Sequence, residues 1–323
     1  MSKIENSKTY LGRDLENIFF RPVFADEGAR ELGIKVMYNM PAPTRLHFWH
    51  RPDDVLRKYA SAGWTGSNSA ERYTKTIELH RVKAEMSYSA DEYFSLVYDS
   101  LTQSALTQLD DLTGTELEAA ETALFRNAIM ESVRATMWLG KTARAEGLNT
   151  FDGFLCRILA DVEEQDIPVE VYESVTADTV EARLKSVWDN ASEELRSIRS
   201  EGQLAFFVTA DVFGAYEDSL EAAENEAAYY ARQNGPGSLM YKGIPVIDMK
   251  LGGYLTKYYD LGVSFVLLTD RRNLALALNT SDFPGSEVRM WYNPDLMENR
   301  QRAIFMAGCD YLLPELVSLG YAK

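Results

Sequence analysis

Three segments between residues 239 and 321 constrain the fold more than any other stretch, because they set a fixed order of strands and turns. The first, LMYKGIPVIDM (239–249), is an apolar strand in which Gly243 and Pro245 bracket Ile244. The second, VSFVLLTDRRNLALAL (263–278), reads as two apolar strands parted by a charged turn at 269–273. The third runs from 286 to 321. Its order is a strand through Trp291 and Tyr292, an Asn293-Pro294-Asp295 turn, a second strand and a short helix near the end.

Upstream, helix and strand alternate. Residues 179–188 predict a helix, 204–209 a buried strand and 212–233 an acidic amphipathic helix closed by the turn Asn234-Gly235-Pro236-Gly237. The pattern is α+β. Before it, Leu117, Ala120, Leu124, Ala128, Met130, Val133 and Met137 recur at helical spacing. Thr113 or Thr115 can cap this helix and Gly147 can stop it. That is about 30 residues, or roughly 45 Å at the α-helical rise, long for an element inside a compact domain.

The N-terminal third reads differently. The first 45 residues mix charge with Ile18, Phe19, Phe20, Val23 and Phe24 and end in Met40-Pro41-Ala42-Pro43, which suits an extended arm better than a packed layer. Residues 55–62 then lead to a small-residue tip around Gly63, Trp64 and Gly66, and residues 72–87 return as a strand whose charges fall on both faces. A two-stranded ribbon of that kind is marginal in water unless something covers it, so it is expected to project and to rest on a neighbouring subunit. Trp64 at a tip with no core of its own is the expected anchor. Phe19, Phe20 and Phe24 of the arm, with Arg72 and Arg81 on the return strand, complete the expected intersubunit contacts.

This order of elements resembles that of tailed-phage major capsid proteins of the Hong Kong 97-type fold. Their C-terminal half carries a Gly-x-Pro-Val strand, a hairpin, an Arg-containing strand, an acidic turn and a long strand. The resemblance implies an N-terminal arm (1–46), an extended loop (47–90), a peripheral domain with a spine helix (91–150) and an axial domain (151–284). Return strands of the peripheral domain (285–308) and a C-terminal segment (309–323) follow. It also implies a structural protein of the virion, assembled in the host cytoplasm into homo-pentamers and homo-hexamers around double-stranded DNA. Portal, scaffold and decoration proteins are the partners it leaves open. With no long charged coiled coil ahead of the arm, a fused scaffold domain is not expected.

Composition fits without deciding the matter. A net charge of −16 offers no basic face for gripping phosphates, although a shell enclosing DNA without sequence-specific contact tolerates it. No apolar run is long enough for a transmembrane helix, and no membrane partner is expected. Cys156 and Cys309 each sit in an apolar stretch without metal-type spacing and read as buried, reduced thiols. His47 and His50 lie three apart, but Pro52 argues against a helix that would align them, and no Cys or His cluster completes a site. No nucleophile-elbow, zincin or phosphate-loop motif occurs, so no catalytic residue, metal or cofactor is expected. Two other readings stay open. An encapsulin-type bacterial compartment shell would share the fold, and neighbouring genes would separate it from a phage protein. An α+β hydrolase would form a small oligomer with measurable activity.

Overall fold

The computed structural model describes residues 8–10, 33–50, 71–89, 116–223, 239–251, 253–258, 264–279 and 287–322. Its strands are β1 (Lys8–Tyr10), β2 (Lys35–Tyr38), β3 (Thr44–His50), β4 (Glu71–Ile77), β5 (His80–Ser89), β6 (Val169–Tyr172) and β7 (Leu204–Val208). They continue as β8 (Leu239–Tyr241), β9 (Ile244–Asp248), β10 (Phe265–Asp270), β11 (Leu274–Asn279), β12 (Glu287–Asn293), β13 (Glu298–Tyr311) and β14 (Val317–Ala322). The helices are α1 (Glu116–Leu139), α2 (Phe154–Asp161), α3 (Val180–Asn190), α4 (Glu193–Ser197), α5 (Ala210–Ala223) and α6 (Gly253–Tyr258).

The 14-residue β13 organises the first sheet, and its alternation explains how. Asn299, Gln301, Ala303 and Phe305 are buried while Arg300, Arg302, Ile304 and Met306 are only half-buried, the period-two pattern of a strand with one covered face. Along one edge β5 pairs antiparallel over Glu298–Ala307. Along the other, β12 takes Glu298–Ile304 and β11 takes Met306–Tyr311, so the two partners sit one after the other. β2 then joins β11 in parallel and β1 joins β12.

The second sheet has the order β6-β14-β10-β7-β9-β8. Both of its central strands are buried on both faces. In β7, Leu204, Phe206 and Val208 join the core under α3 and α5, while Ala205 and Phe207 turn to the larger core shared with the first sheet and α1. In β10 the alternate sets are Val266 and Leu268 against Phe265 and Leu267. Strands covered on both sides read as continuous apolar runs, and these two do.

Helix α1 bridges the layers. Its buried stripe is Phe125, Ile129, Val133 and Met137, ending in Trp138, whose ring lies 5.3 Å from those of both Phe154 and Phe207. Leu124, expected on this stripe, is exposed, because the true stripe follows i, i+4 from Phe125. The helix is 24 residues, about 36 Å, and stops at Leu139 rather than at Gly147. Gly140 is the reason. A Cβ there would lie 2.2 Å from the carbonyl oxygen of Phe151, so the following chain crosses in contact with it. Gly153 N–H donates to the Gly140 carbonyl (2.9 Å), and Arg144 Nη1 donates to that of Leu139 (2.9 Å).

Four further expectations change. Residues 71–77 pair with Thr44–His50 and not with 55–62, which lie outside the described residues. The second half of the return segment, β5, is no free ribbon but a full partner of β13. The short helix near the C-terminus is a single 3-10 turn at Pro314–Leu316, after which β14 enters the second sheet between β10 and β6. The first 45 residues also contribute more than an arm: Ile34 is buried in the main core, and Val36 and Tyr38 pack against it.

Candidate assembly surfaces

The β3–β4 pair is a separate two-stranded sheet in register from Thr44↔Ile77 to His50↔Glu71. Directly opposed residues share a face, so Thr44, Leu46, Tyr73, Lys75 and Ile77 lie on one side and Arg45, His47, Arg72, Thr74 and Thr76 on the other. Only the base of the first side is buried. Ile77 packs with Ala275, Ala277 and Leu312, and Thr44 Oγ1 donates to the Pro41 carbonyl. The second side is exposed throughout its described residues. There the Arg72 guanidinium lies against His47, with Nη2 2.8 Å from each ring nitrogen. His47 and His50 lie on a strand and not on one turn of a helix.

A charged clasp fixes the ribbon's base to the body. Lys75 Nζ sits 3.5 Å from Asp161 Oδ2, 3.6 Å from Asp310 Oδ1 and 4.3 Å above the ring of Tyr311. The Tyr311 hydroxyl donates to Asp161 at 2.5 Å. Asp310 is buried with a side-chain exposure of 5%, and its Oδ1 is within ion-pair reach of Lys75 but accepts no hydrogen bond among the described residues. Burial pushes its carboxyl up to about 6, against the pull of Lys75 and Arg157. One residue pair earlier on β13, Gly308 lets the β4–β5 connection pass, since a Cβ would stand 2.0 Å from the Glu78 carbonyl oxygen.

Beyond the clasp, the same outer face of the first sheet turns polar. Trp291 lies between two guanidinium groups, Arg289 at 5.6 Å and Arg302 at 5.7 Å. Arg302 also pairs with Glu287 (2.6 Å), Arg300 with Glu298 (3.4 Å) and Lys83 with Glu85 (2.8 Å).

Of the contacts expected from sequence, Arg72 lies on the exposed side of the ribbon and Arg81 is the second residue of β5, opposite Met306, so the structure does not bring them together. Trp64, Phe19, Phe20 and Phe24 lie outside the described residues, as do the side chains of Phe48 and Trp49. Cys309 is buried, its thiol pushed up by burial, whereas Cys156 is only half-buried. The clasp residues Lys75, Asp161, Asp310 and Tyr311 were missed. The available signal was Asp310 itself, a lone acid in the apolar run 303–313, which demands a partner.

No family model matches the chain, and no curated protein does. Solved structures match over almost all of it. A chain of the satellite phage P4 procapsid, in a structure that includes the size determination (Sid) protein, has a TM-score of 0.60 at 10% identity over 94% of this chain and 98% of that one. A chain of Gordonia phage Cozz gives 0.53 at 12% identity over 91% and 86%. A chain of the native GTA particle capsid gives 0.52 at 13% identity over 92% and 89%. At these identities the likeness establishes a shared fold.

Proposed function

We propose that this chain is a tailed-phage major capsid protein, a structural subunit and not an enzyme, built on the Hong Kong 97-type plan. In this reading β3–β4 is the stem of the extended loop, α1 the spine helix, and the second sheet with α3 and α5 the axial domain. The observation that carries it is the end-to-end correspondence with the P4 procapsid chain, 94% of one and 98% of the other. A ribbon clasped at its base and exposed along one side supports it, because such an element needs a neighbour to cover it.

Copies would form pentamers and hexamers of an icosahedral shell in the host cytoplasm and end in the virion. One chain serving fivefold and sixfold rings needs contacts that tolerate small rotations. The shell would enclose double-stranded DNA without reading its sequence, and a net charge of −16 lets the packed genome slide. Portal, scaffold and decoration proteins would be its other partners. Light scattering and negative-stain imaging of the purified protein test the reading. Closed shells are expected, and a monodisperse monomer at every salt and protein concentration would refute it.

A further inference from the structure

The outer face of the first sheet has two halves. The ribbon base covers one, at Gly308 and Asp310. The other, formed by β5, β13 and β12, carries Arg81, Lys83, Arg289, Arg300 and Arg302 against Glu85, Glu287 and Glu298, five cations to three carboxylates in a chain of net charge −16. Arg81, Lys83, Glu85 and Arg289 on this half are exposed. Arg289 is exposed and stands directly opposite Arg302, a like-charge pairing that costs stability within a sheet. The Trp291 ring and Glu287 hold that pair in place.

Helix α5 is the counterpart. It contains Asp211, Glu217, Asp218 and Glu221 and no lysine or arginine. Val212, Tyr216 and Leu220 hold it to the second sheet, which leaves Glu217, Asp218 and Glu221 exposed. We propose that the β5–β13–β12 half-face of one subunit receives the acidic face of helix α5 from a second copy, with Arg289 and Trp291 at the centre of the contact.

This rests on the assembly reading above and names one of its interfaces. Such a contact joins two different patches, so it is heterologous and propagates around a ring. Arginine and tryptophan are the side chains most enriched where interfaces concentrate their energy. Phosphate is the competing occupant, but three carboxylates interleaved among the cations disfavour a continuous polyanion such as a nucleic-acid backbone more than the short acidic face of one helix.

The test is a charge swap on the full chain. Arg289→Glu and Asp218→Arg should each raise the protein concentration needed for assembly about tenfold, the equivalent of about 1.4 kcal/mol, and the double variant should recover most of that. Arg289→Gln, which keeps the shape without reversing charge, should fall between parent and Arg289→Glu. Melting of unassembled subunits checks that each variant folds. Assembly of Arg289→Glu at the parent's concentration overturns the contact. So does a variant that forms shells normally but loses bound duplex DNA, which would make the face a phosphate site. A parent that never leaves the monomeric state defeats the assembly reading and this contact together, whereas an assembling parent with an indifferent Arg289→Glu defeats the contact alone.

Discussion

Asp310 and Gly308 sit two apart on one strand face and respond to substitution for different reasons. Burial holds the Asp310 carboxyl at about 6, above its ordinary value, so the folded state binds its proton more tightly than the unfolded chain does. Its contribution to stability is therefore complete below about pH 4 and is lost as pH rises through about 6. Asp310→Asn removes that titration. The melting temperature of the variant minus that of the parent should climb between pH 4 and 7 and then level off, by the equivalent of at most about 3 kcal/mol. A pH-independent difference would mean that Lys75 keeps the carboxylate ionised. Gly308→Ala acts by volume alone. Its methyl would press on the Glu78 carbonyl, and overpacking of this kind costs about 1–3 kcal/mol, readable as a lower denaturant midpoint with an unchanged slope.

Among the elements, the apolar pattern revealed most of the strands and the existence of α1, because each has a buried face or stripe, or in β7, β10 and β11 two buried faces, that dictates residue type. It misplaced what depends on contacts between segments. The end of α1 is set by the chain crossing at Phe151, which no local signal announces, so the helical spacing was carried past Gly140 to Gly147. The strand paired with β4 was sought in the nearest segment. A longer loop adds little closure entropy, so proximity in sequence was a weak guide, and TRLHFWH is itself rich in strand formers. The clasp draws on residues 75, 161, 310 and 311, whose meeting is a property of the fold. The C-terminal end of α1 carries the third prediction. Trp138 is fully buried against Phe154 and Phe207, and its indole N–H has no hydrogen-bond partner among the described residues. Trp138→Ala should cost about 3–5 kcal/mol in chemical denaturation, and Trp138→Phe much less, since it keeps the ring and removes an unsatisfied donor. Two separate unfolding transitions in the alanine variant would show that this ring couples the cores of the two sheets.

At the scale of the whole molecule, the N-terminal region holds a part that completes the subunit and, on the proposed reading, a part that meets a neighbouring copy. β1 adds only the three residues Lys8–Tyr10 at the edge of the first sheet. β2 lies beside the fully buried β11, with Ile34 at 5% exposure in the main core and Met37 in the cluster around Ile77. Two truncations separate these roles. Removing residues 1–32 keeps Ile34 and β2, so the subunit should still melt in one cooperative step close to the parent. Removing residues 1–40 strips the edge of β11 and deletes buried side chains worth about 2 kcal/mol each, so its melting temperature should fall by many degrees or the transition should broaden. Assembly should fail in both, but for different reasons. The shorter truncation loses Phe19, Phe20 and Phe24, which on our reading bury apolar area against a neighbouring copy, while its own fold survives. A folded 1–32 truncation that still closes shells of parental stability would show that these three phenylalanines serve the subunit or nothing at all. It would also leave the ribbon and the charged half-face as the surfaces on which assembly depends.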